Sequence, residues 1–380
     1  MKPCPVDGRN GKHLTRALNR ALRRMTTPPI TTFEEFRDAL VAYRLPRVLI
    51  TALELDLFTA IGPKKSQVSE LAAALKVSER GLAILCRNLA AVGLLRKSGD
   101  TYWNSKLAAR ALNAGSPAYR GAYLELLRNH WADWSCLTGS VKTGLPVDHD
   151  EPEEPGYREQ FTWAMHHRSL EVAPKVAAQV NLKGARTLLD LGGGPGTYAM
   201  AFLAKNPQLR ATVCDRPAAL EVARKIAATH KASHRLSYQP LDFMQDPIAG
   251  QYDVIWYSNV LHIYSPDQNQ ALFRLALPAL SPGGRLIVQD AFLHDREGLY
   301  PFEAGLFAVT MLLFTETGNT YSLADTVRWL REAGFERVRP IRMRKGMEDW
   351  DGGLLEASRP VVRPEKLARP RRSAENSRGR

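Results

Sequence analysis

The segment Leu188-Leu189-Asp190-Leu191-Gly192-Gly193-Gly194-Pro195-Gly196-Thr197 constrains this chain more than any other. It predicts an apolar strand that carries an acid near its end, turns through four glycines and opens a helix at Tyr198–Phe202. Glycine tolerates left-handed backbone and lets a ligand come close to the main chain. The helix start offers unpaired N–H groups and the positive end of its dipole. Open α/β sheets hold nucleotide-like ligands this way. The glycine spacing leaves the ligand open. Gly192-x-Gly194 meets Thr197 where the dinucleotide fingerprint asks for glycine, but Gly194-x-Gly196-x-x-Ala199 satisfies the G-x-G-x-x-A variant, so NAD stands on this motif taken alone.

With 380 residues the chain is long enough for two domains and their tails. No run approaches the apolar length of a membrane span. The net charge of +13 sits at the ends. Residues 1–30 hold seven Lys/Arg against one Asp, residues 359–380 eight against two Glu, and 31–358 are left with +1. A nearly neutral body argues against nucleic acid as its ligand. Cys4, Cys86, Cys136 and Cys214 are scattered, which argues against zinc and against a disulfide framework and suits a reducing cytoplasm. His13–Arg24 is Arg-rich and acid-poor, like a transit peptide, but reads better as a basic helix. The Pro/Arg/Ser tail reads as disordered and, with the N-terminal segment, as dispensable.

The pattern divides the chain into a basic segment (1–30), a winged helix (31–114), a helical linker (115–185), a strand–helix domain (186–358) and the tail (359–380). In the winged helix, Pro46–Ile61 and Ser66–Leu75 read as helices. A third, Glu79–Val92, follows the cap Val77-Ser78 and places Leu82, Leu85, Leu89 and Val92 at helical spacing. A hairpin surrounds Ser98-Gly99-Asp100. Such a unit binds DNA or serves as a dimerisation platform. Strands are expected near 186–191, 210–215, 236–242, 252–258, 284–290, 337–343 and 353–357. Helices join the first five and another precedes 337, so the fold class is α/β, a doubly wound, mostly parallel sheet. Its final hairpin implies an antiparallel edge strand.

Candidate chemistry gathers at strand ends. Asp215 follows Gly196 by 19 residues, where an acid accepts ribose hydroxyls, and it also suits the N-cap of the helix opening at Pro217. Asp242 and Phe243 end the third strand, where an acid and an aromatic suit adenine. His262, after Ser258-Asn259-Val260-Leu261, stands at the rim where such sheets bind ligands and can take a proton from a hydroxyl. Asp290 ends the fifth strand and can orient an imidazole.

These pieces resemble a known family. The C-terminal 170 residues are similar to class I S-adenosylmethionine-dependent methyltransferases. Nearly all of 31–358 resembles the small-molecule O-methyltransferases of the caffeic-acid and hydroxyindole type and their bacterial natural-product relatives. The carriers, in order, are LLDLGGGPG, VCDRP, PLDF, SNVLHIYSPDQNQALF, ALSPGGRLIVQDAF and LREAGF. The resemblance implies a winged-helix dimerisation domain before a seven-stranded sheet whose last strand is antiparallel. It implies a homodimer with S-adenosyl-L-methionine as cofactor and a small acceptor; the scattered cysteines and the lack of a long apolar run already argue for no metal and no membrane. Gly192 and Gly194 match the cofactor turn, Asp215 the ribose acid, and Asp242 with Phe243 the adenine pair. Ser169 matches a serine near the cofactor carboxylate, and Ser258 joins the cofactor set. His262 matches the general base of the plant-type enzymes, and Asp290 an acid that orients it. Met165 matches a residue beside the transferred methyl, and Trp131, Trp134, Phe307 and Met311 are expected to wall the acceptor pocket.

Two departures stand out. Plant-type enzymes have His-Asp-Trp-Ser-Asp where this chain has His262-Ile263-Tyr264-Ser265-Pro266, and Thr320 takes the place of a second family Glu, with Glu316 nearby but out of register. The expected function is methyl transfer to the hydroxyl of a small aromatic or polyketide-like acceptor, with catalysis by positioning as the alternative to a base at His262. Two other readings stay open: a DNA-binding regulator using Arg80, Arg87 and Asn88, and an S-adenosylmethionine-binding scaffold doing other chemistry.

Overall fold

Residues 187–358 realise the alternation of apolar strands and amphipathic helices as one seven-stranded sheet with helices on both faces. The computed structural model describes residues 29–361 apart from 148–154, Phe243, Arg296 and 343–352. His13–Arg24, Phe243 and nearly all of the basic tail therefore lie outside the described residues.

The N-terminal unit comprises α1 (Phe33–Val41), α2 (Arg44–Glu54), α3 (Leu57–Ile61), β1 (Ser66–Gln67), α4 (Val68–Leu75), α5 (Glu79–Ala91), β2 (Leu95–Ser98) and β3 (Thr101–Asn104). Its core is built on Leu57, Phe58, Leu82, Leu89, Leu95 and Tyr102. The helix expected over 46–61 is in fact two, because Asp56 adopts left-handed backbone (φ 47°) and turns the chain between α2 and α3. Ser66 and Gln67 pair with Tyr102 and Thr101 before α4 begins, making the hairpin a three-stranded wing. Ser78 caps α5 by accepting from Gly81 N–H at 3.3 Å. Asn88, one of the residues offered for reading DNA, spends its amide on the Ile84 carbonyl at 2.9 Å.

Helices α6 (Gly121–Ser135), α7 (Leu137–Thr143), α8 (Pro155–Ser169) and α9 (Ala173–Ala177) link this unit to the sheet. There follow β4 (Thr187–Leu191), α10 (Thr197–Lys205), β5 (Arg210–Asp215), α11 (Pro217–Ala227), β6 (Leu236–Pro240), β7 (Tyr252–Ser258), α12 (Pro266–Ala279), β8 (Leu280–Asp290), α13 (Phe302–Phe314), α14 (Leu323–Glu332), β9 (Glu336–Ile341) and β10 (Gly353–Ser358).

The sheet order is β6-β5-β4-β7-β8-β10-β9. The central strands are buried on both faces, as parallel strands between helices must be. Leu188, Val254, Trp256 and Ile287 face α10 and α11, whereas Leu189, Ile255, Tyr257 and Val288 face α12 and α14. The last strand is antiparallel as expected, but it is not the edge. β10 lies between β8 and β9 and pairs antiparallel with both, so β9 forms the edge. Chain order reverses between β4 and β7, which opens a crevice at their C-terminal ends. Among the described residues no helix is long and apolar enough to cross a membrane.

Candidate active site

The glycine turn after β4 leads into this crevice. Gly192, Gly194 and Gly196 have φ of 70°, 49° and 68°, values that favour glycine. Gly193 is required for a different reason. A Cβ there would stand 2.6 Å from the Asp190 carboxyl carbon. The N–H groups of Gly192 and Gly193 donate to the Cys214 carbonyl at 2.9 and 3.2 Å, tying the turn to β5.

Asp215 closes the turn from the other side. Its Oδ2 accepts from Gly194 N–H and its Oδ1 from Arg216 N–H, both at 2.7 Å. It does not cap α11, whose N-cap is Arg216 without a side-chain hydrogen bond. Burial raises the Asp215 pKa, opposed by those two N–H donors and by the charges of Arg158 and Arg216. Asp242 lines the same cavity, but it is also the brace of its own turn, accepting from Met244 N–H at 3.1 Å and the Gln245 amide at 3.2 Å. Ser258 is buried and donates to Gln289 Oε1 at 3.0 Å. Asn259 follows in left-handed backbone (φ 56°), a conformation Asn tolerates, and its amide donates to Ser258 Oγ at 2.8 Å.

His262 occupies the short helical turn after β7 and is 7% exposed. Its Nδ1 lies 2.8 Å from Oδ1 of Asp290, which is 1% exposed. A carboxylate oxygen only accepts, so Nδ1 carries a proton, and in the neutral imidazole the lone pair is then on Nε2. Oδ1 also accepts from Ala291 N–H at 2.7 Å. Oδ2 is buried with no protein partner among the described residues. Phe307 presents its ring edge-on to the imidazole, centroids 4.7 Å apart. The loop after α13 straps the backbone, with Asn319 N–H donating to the His262 carbonyl at 2.9 Å. Thr320 does not reach the imidazole, because its hydroxyl donates to the Ala304 carbonyl at 3.1 Å.

These groups share a cavity of about 1350 Å³. Gly192, Gly194, Asp215, Asp242, Ser258 and Ser169 line it, and so do His262, Met165, Phe307, Met311 and Trp134. Trp131 does not line the cavity. On α6 the lining positions are Tyr123, Leu126, Leu127, His130 and Trp134, one helical face. Trp131 falls beyond the edge of that face, and Arg47 of α2 lies over its ring, 5.8 Å from the centroid. Among the described residues no three His, Cys, Asp or Glu are grouped to hold a metal ion.

Sequence reasoning missed three side chains here. Asp190 is buried beneath the turn, its Oδ2 accepting from Ala199 N–H at 3.2 Å, and burial pushes its carboxyl up to about 7. His166 on α8 is 2.8 Å from Thr197 Oγ1, at the first turn of α10. Burial, with the charges of His167 and Arg120, pulls its pKa down to about 4. Arg158 enters the cavity from the same helix. Only the acid in LLDLGGG had a local signal. The other two depend on how α8 docks.

The buried acid and the half-buried imidazole bend stability in opposite directions. Between about 4 and 7, folded Asp190 keeps a proton that the unfolded chain has lost, so its contribution falls as pH rises. Between about 4 and 6.5, folded His166 lacks a proton that the unfolded chain holds, so its contribution rises with pH. Asp190→Asn keeps an acceptor for Ala199 and removes only the first slope. In urea unfolding, the stability of this variant relative to wild type is expected to increase from pH 4.5 to 7.5. A difference that stays flat would show that Asp190 ionises normally.

Known proteins resemble this chain over most of its length. An O-methyltransferase domain model matches residues 142–336, and an O-methyltransferase dimerisation domain model matches 38–114. The chain belongs to the O-methyltransferase family. It is 30% identical to 3-hydroxy-5-methyl-1-naphthoate 3-O-methyltransferase of Streptomyces sahachiroi, over 78% of this chain and 87% of that protein. It is 31% identical to the tetracenomycin polyketide synthesis 8-O-methyltransferase of Streptomyces glaucescens, over 79% and 90%. An O-methyltransferase family structure from Burkholderia thailandensis superposes with TM-score 0.78 at 25% identity, covering 88% of this chain and all of that one. The fold is that of class I methyltransferases, and the cofactor is S-adenosylmethionine. The NAD and regulator readings are thereby set aside.

The residues present fit that cofactor. Gly192, Gly193 and Gly194 line the cavity with backbone alone, and the half-buried Asp215 carboxylate stands beside them in the cavity wall.

Proposed function

We propose that this methyltransferase acts on an aromatic, polyketide-like hydroxyl, as a homodimer, with His262 as general base and Asp290 as its positioning residue. The observation that carries this reading is the His262–Asp290 pair, 2.8 Å apart, in a cavity shared with the glycine turn and an apolar wall. Gly192, Gly194, Asp215, Asp242, Ser258 and Ser169 are assigned to the cofactor and Met165, Phe307 and Met311 to the acceptor. Pockets for one drug-sized ligand run to about 300–1,000 Å³, so this one has room for a multi-ring acceptor beside the cofactor. Two relatives act, by name, on a naphthoate and in polyketide synthesis.

S-adenosylmethionine supplies a methyl group on a positively charged sulfur, a leaving group that needs no acid from the protein. The chain's tasks are alignment and removal of one proton. Nε2 of His262 takes the acceptor's hydroxyl proton as the oxygen attacks. Asp290 Oδ1 holds Nδ1–H and steadies the imidazolium. Phe307 fixes the plane of the ring.

The dimer reading rests on the dimerisation domain and on α1, whose Phe33, Phe36 and Leu40 are 74%, 48% and 60% exposed. We divide the body functionally into 31–114 for dimerisation, 115–185 for the acceptor and 186–358 for the cofactor. Scattered cysteines, with Cys86 and Cys214 buried and free, suit a cytoplasmic enzyme.

The test incubates purified protein with S-adenosylmethionine and a panel of naphthols and related phenols. Expected is a product heavier by one methyl, with one S-adenosylhomocysteine formed per product, from a dimer by light scattering. Methylation of amines or carbon acids alone would overturn the hydroxyl reading, and a monomer the dimer.

A further inference from the structure

One side chain in the acceptor half has no role in that mechanism. α13 turns Glu303, Ala304, Leu306, Phe307, Thr310, Met311 and Phe314 toward the cavity, one face at helical spacing. Thr310 spends its hydroxyl on the Leu306 carbonyl at 3.3 Å. Glu303 is the one charged member. It is half-buried in the first turn of the helix and makes no hydrogen bond or ion pair with any described residue. It stands one helical turn before Phe307, the ring that meets His262 at 4.7 Å, so it shares a wall with the proposed base.

The other acids in this half are differently placed. Asp290 is committed to His262 and Ala291, and Glu316 is exposed. A half-buried carboxylate beside Ala304 and Phe307 has lost part of its hydration, and the described chain returns no donor. A donor that enters the cavity with a ligand would supply what is missing.

We propose that Glu303 is a specificity-determining residue that accepts a hydrogen bond from a second hydroxyl or amino group of the acceptor, one that is not methylated. This deepens, and rests on, the aromatic-hydroxyl reading above. Two contacts, at Glu303 and at His262, orient a flat acceptor where one would leave it free to turn in an apolar slot. The same carboxylate works against acceptors that carry an acid at that place, because like charges would meet in a poorly solvated corner.

The experiment compares kcat/KM for 2-naphthol, a series of naphthalenediols and the corresponding hydroxynaphthoates in wild type, Glu303→Gln and Glu303→Leu. Wild type is expected to favour at least one diol over 2-naphthol by about tenfold, the worth of one charge-assisted hydrogen bond. Glu303→Leu should erase that preference, mainly through KM. Glu303→Gln should keep part of it, since the amide oxygen still accepts, and should improve the hydroxynaphthoates. Calorimetry with S-adenosylhomocysteine reports whether each variant is folded. If the leucine variant fails to bind it, the glutamine variant's gain on hydroxynaphthoates decides.

A wild type that methylates 2-naphthol with no diol preference would overturn this inference and leave the acceptor class standing. A preference that survives Glu303→Leu would do the same. A wild type that binds S-adenosylhomocysteine yet methylates no naphthol would overturn both.

Discussion

Replacing His262 with alanine is expected to lower kcat by about 10²–10⁴-fold, the usual contribution of a positioned general base, with little change in affinity for S-adenosylhomocysteine. The substitution isolates the imidazole. The contact with Asn319 uses the His262 carbonyl, which alanine retains. The loss should shrink as pH rises toward the acceptor's own pKa, because a phenol already ionised needs no base. Asp290→Asn tests the same proton from the other side. Because Oδ1 accepts from both Nδ1–H and Ala291 N–H, the amide keeps its oxygen there and its NH2 at the unpartnered Oδ2 position, so the tautomer survives and only the charge that steadies the imidazolium is lost. Its cost should be smaller than that of His262→Ala, and the double variant should be little worse than His262→Ala alone, since the two residues act as a unit. A loss under about threefold for His262→Ala would fall well below the general-base range and make the residue an orienting one. Stopped assays at saturating cofactor, run across pH, distinguish these outcomes.

How much of this was legible depended on whether a feature was local. The strands of the sheet announce themselves as short apolar runs between turn signals, and Ser265-Pro266 with Gln268 writes out the capping box that starts α12. The place of β10 is not local. Strand periodicity says which residues face the core but not which strand is the neighbour, so a final hairpin suggested an edge where the chain inserts between β8 and β9. The break at Asp56 lacked a Gly or Pro to mark it. On α6 both tryptophans fit an apolar face, and only the packing of α2 decides that Trp131 meets Arg47 while Trp134 meets the cavity. The His262–Asp290 pair was legible because Asp290 ends β8 and His262 follows the end of β7, its parallel neighbour, by four residues. Glu303 and His166 belong to helices whose docking no local pattern reveals.

Asp215→Ala is expected to weaken cofactor binding by about 1.5–3 kcal/mol, roughly 10–150-fold in Kd. Two effects add. The variant loses the acceptor proposed for the ribose hydroxyls. It also releases Gly194 N–H, which now donates to Oδ2 at 2.7 Å and helps to hold the turn in its left-handed conformation. Asp215→Asn separates them, because one amide oxygen can still brace Gly194 but cannot also serve two hydroxyls. Affinity should therefore rank wild type, then asparagine, then alanine. Burial raises the Asp215 pKa in the free protein. Ribose donors favour the ionised carboxylate, so binding lowers that pKa. Binding is thus coupled to proton release, and affinity should fall as pH drops through the raised pKa. Alanine at 215 should remove this dependence. Calorimetry with S-adenosylhomocysteine over a pH series reads both results. Unchanged affinity with the ranking absent would reduce Asp215 to a brace of the glycine turn. In that case hydrogen exchange at residues 192–197 should still accelerate in the alanine variant, because Gly194 N–H has lost its partner whatever the ligand does.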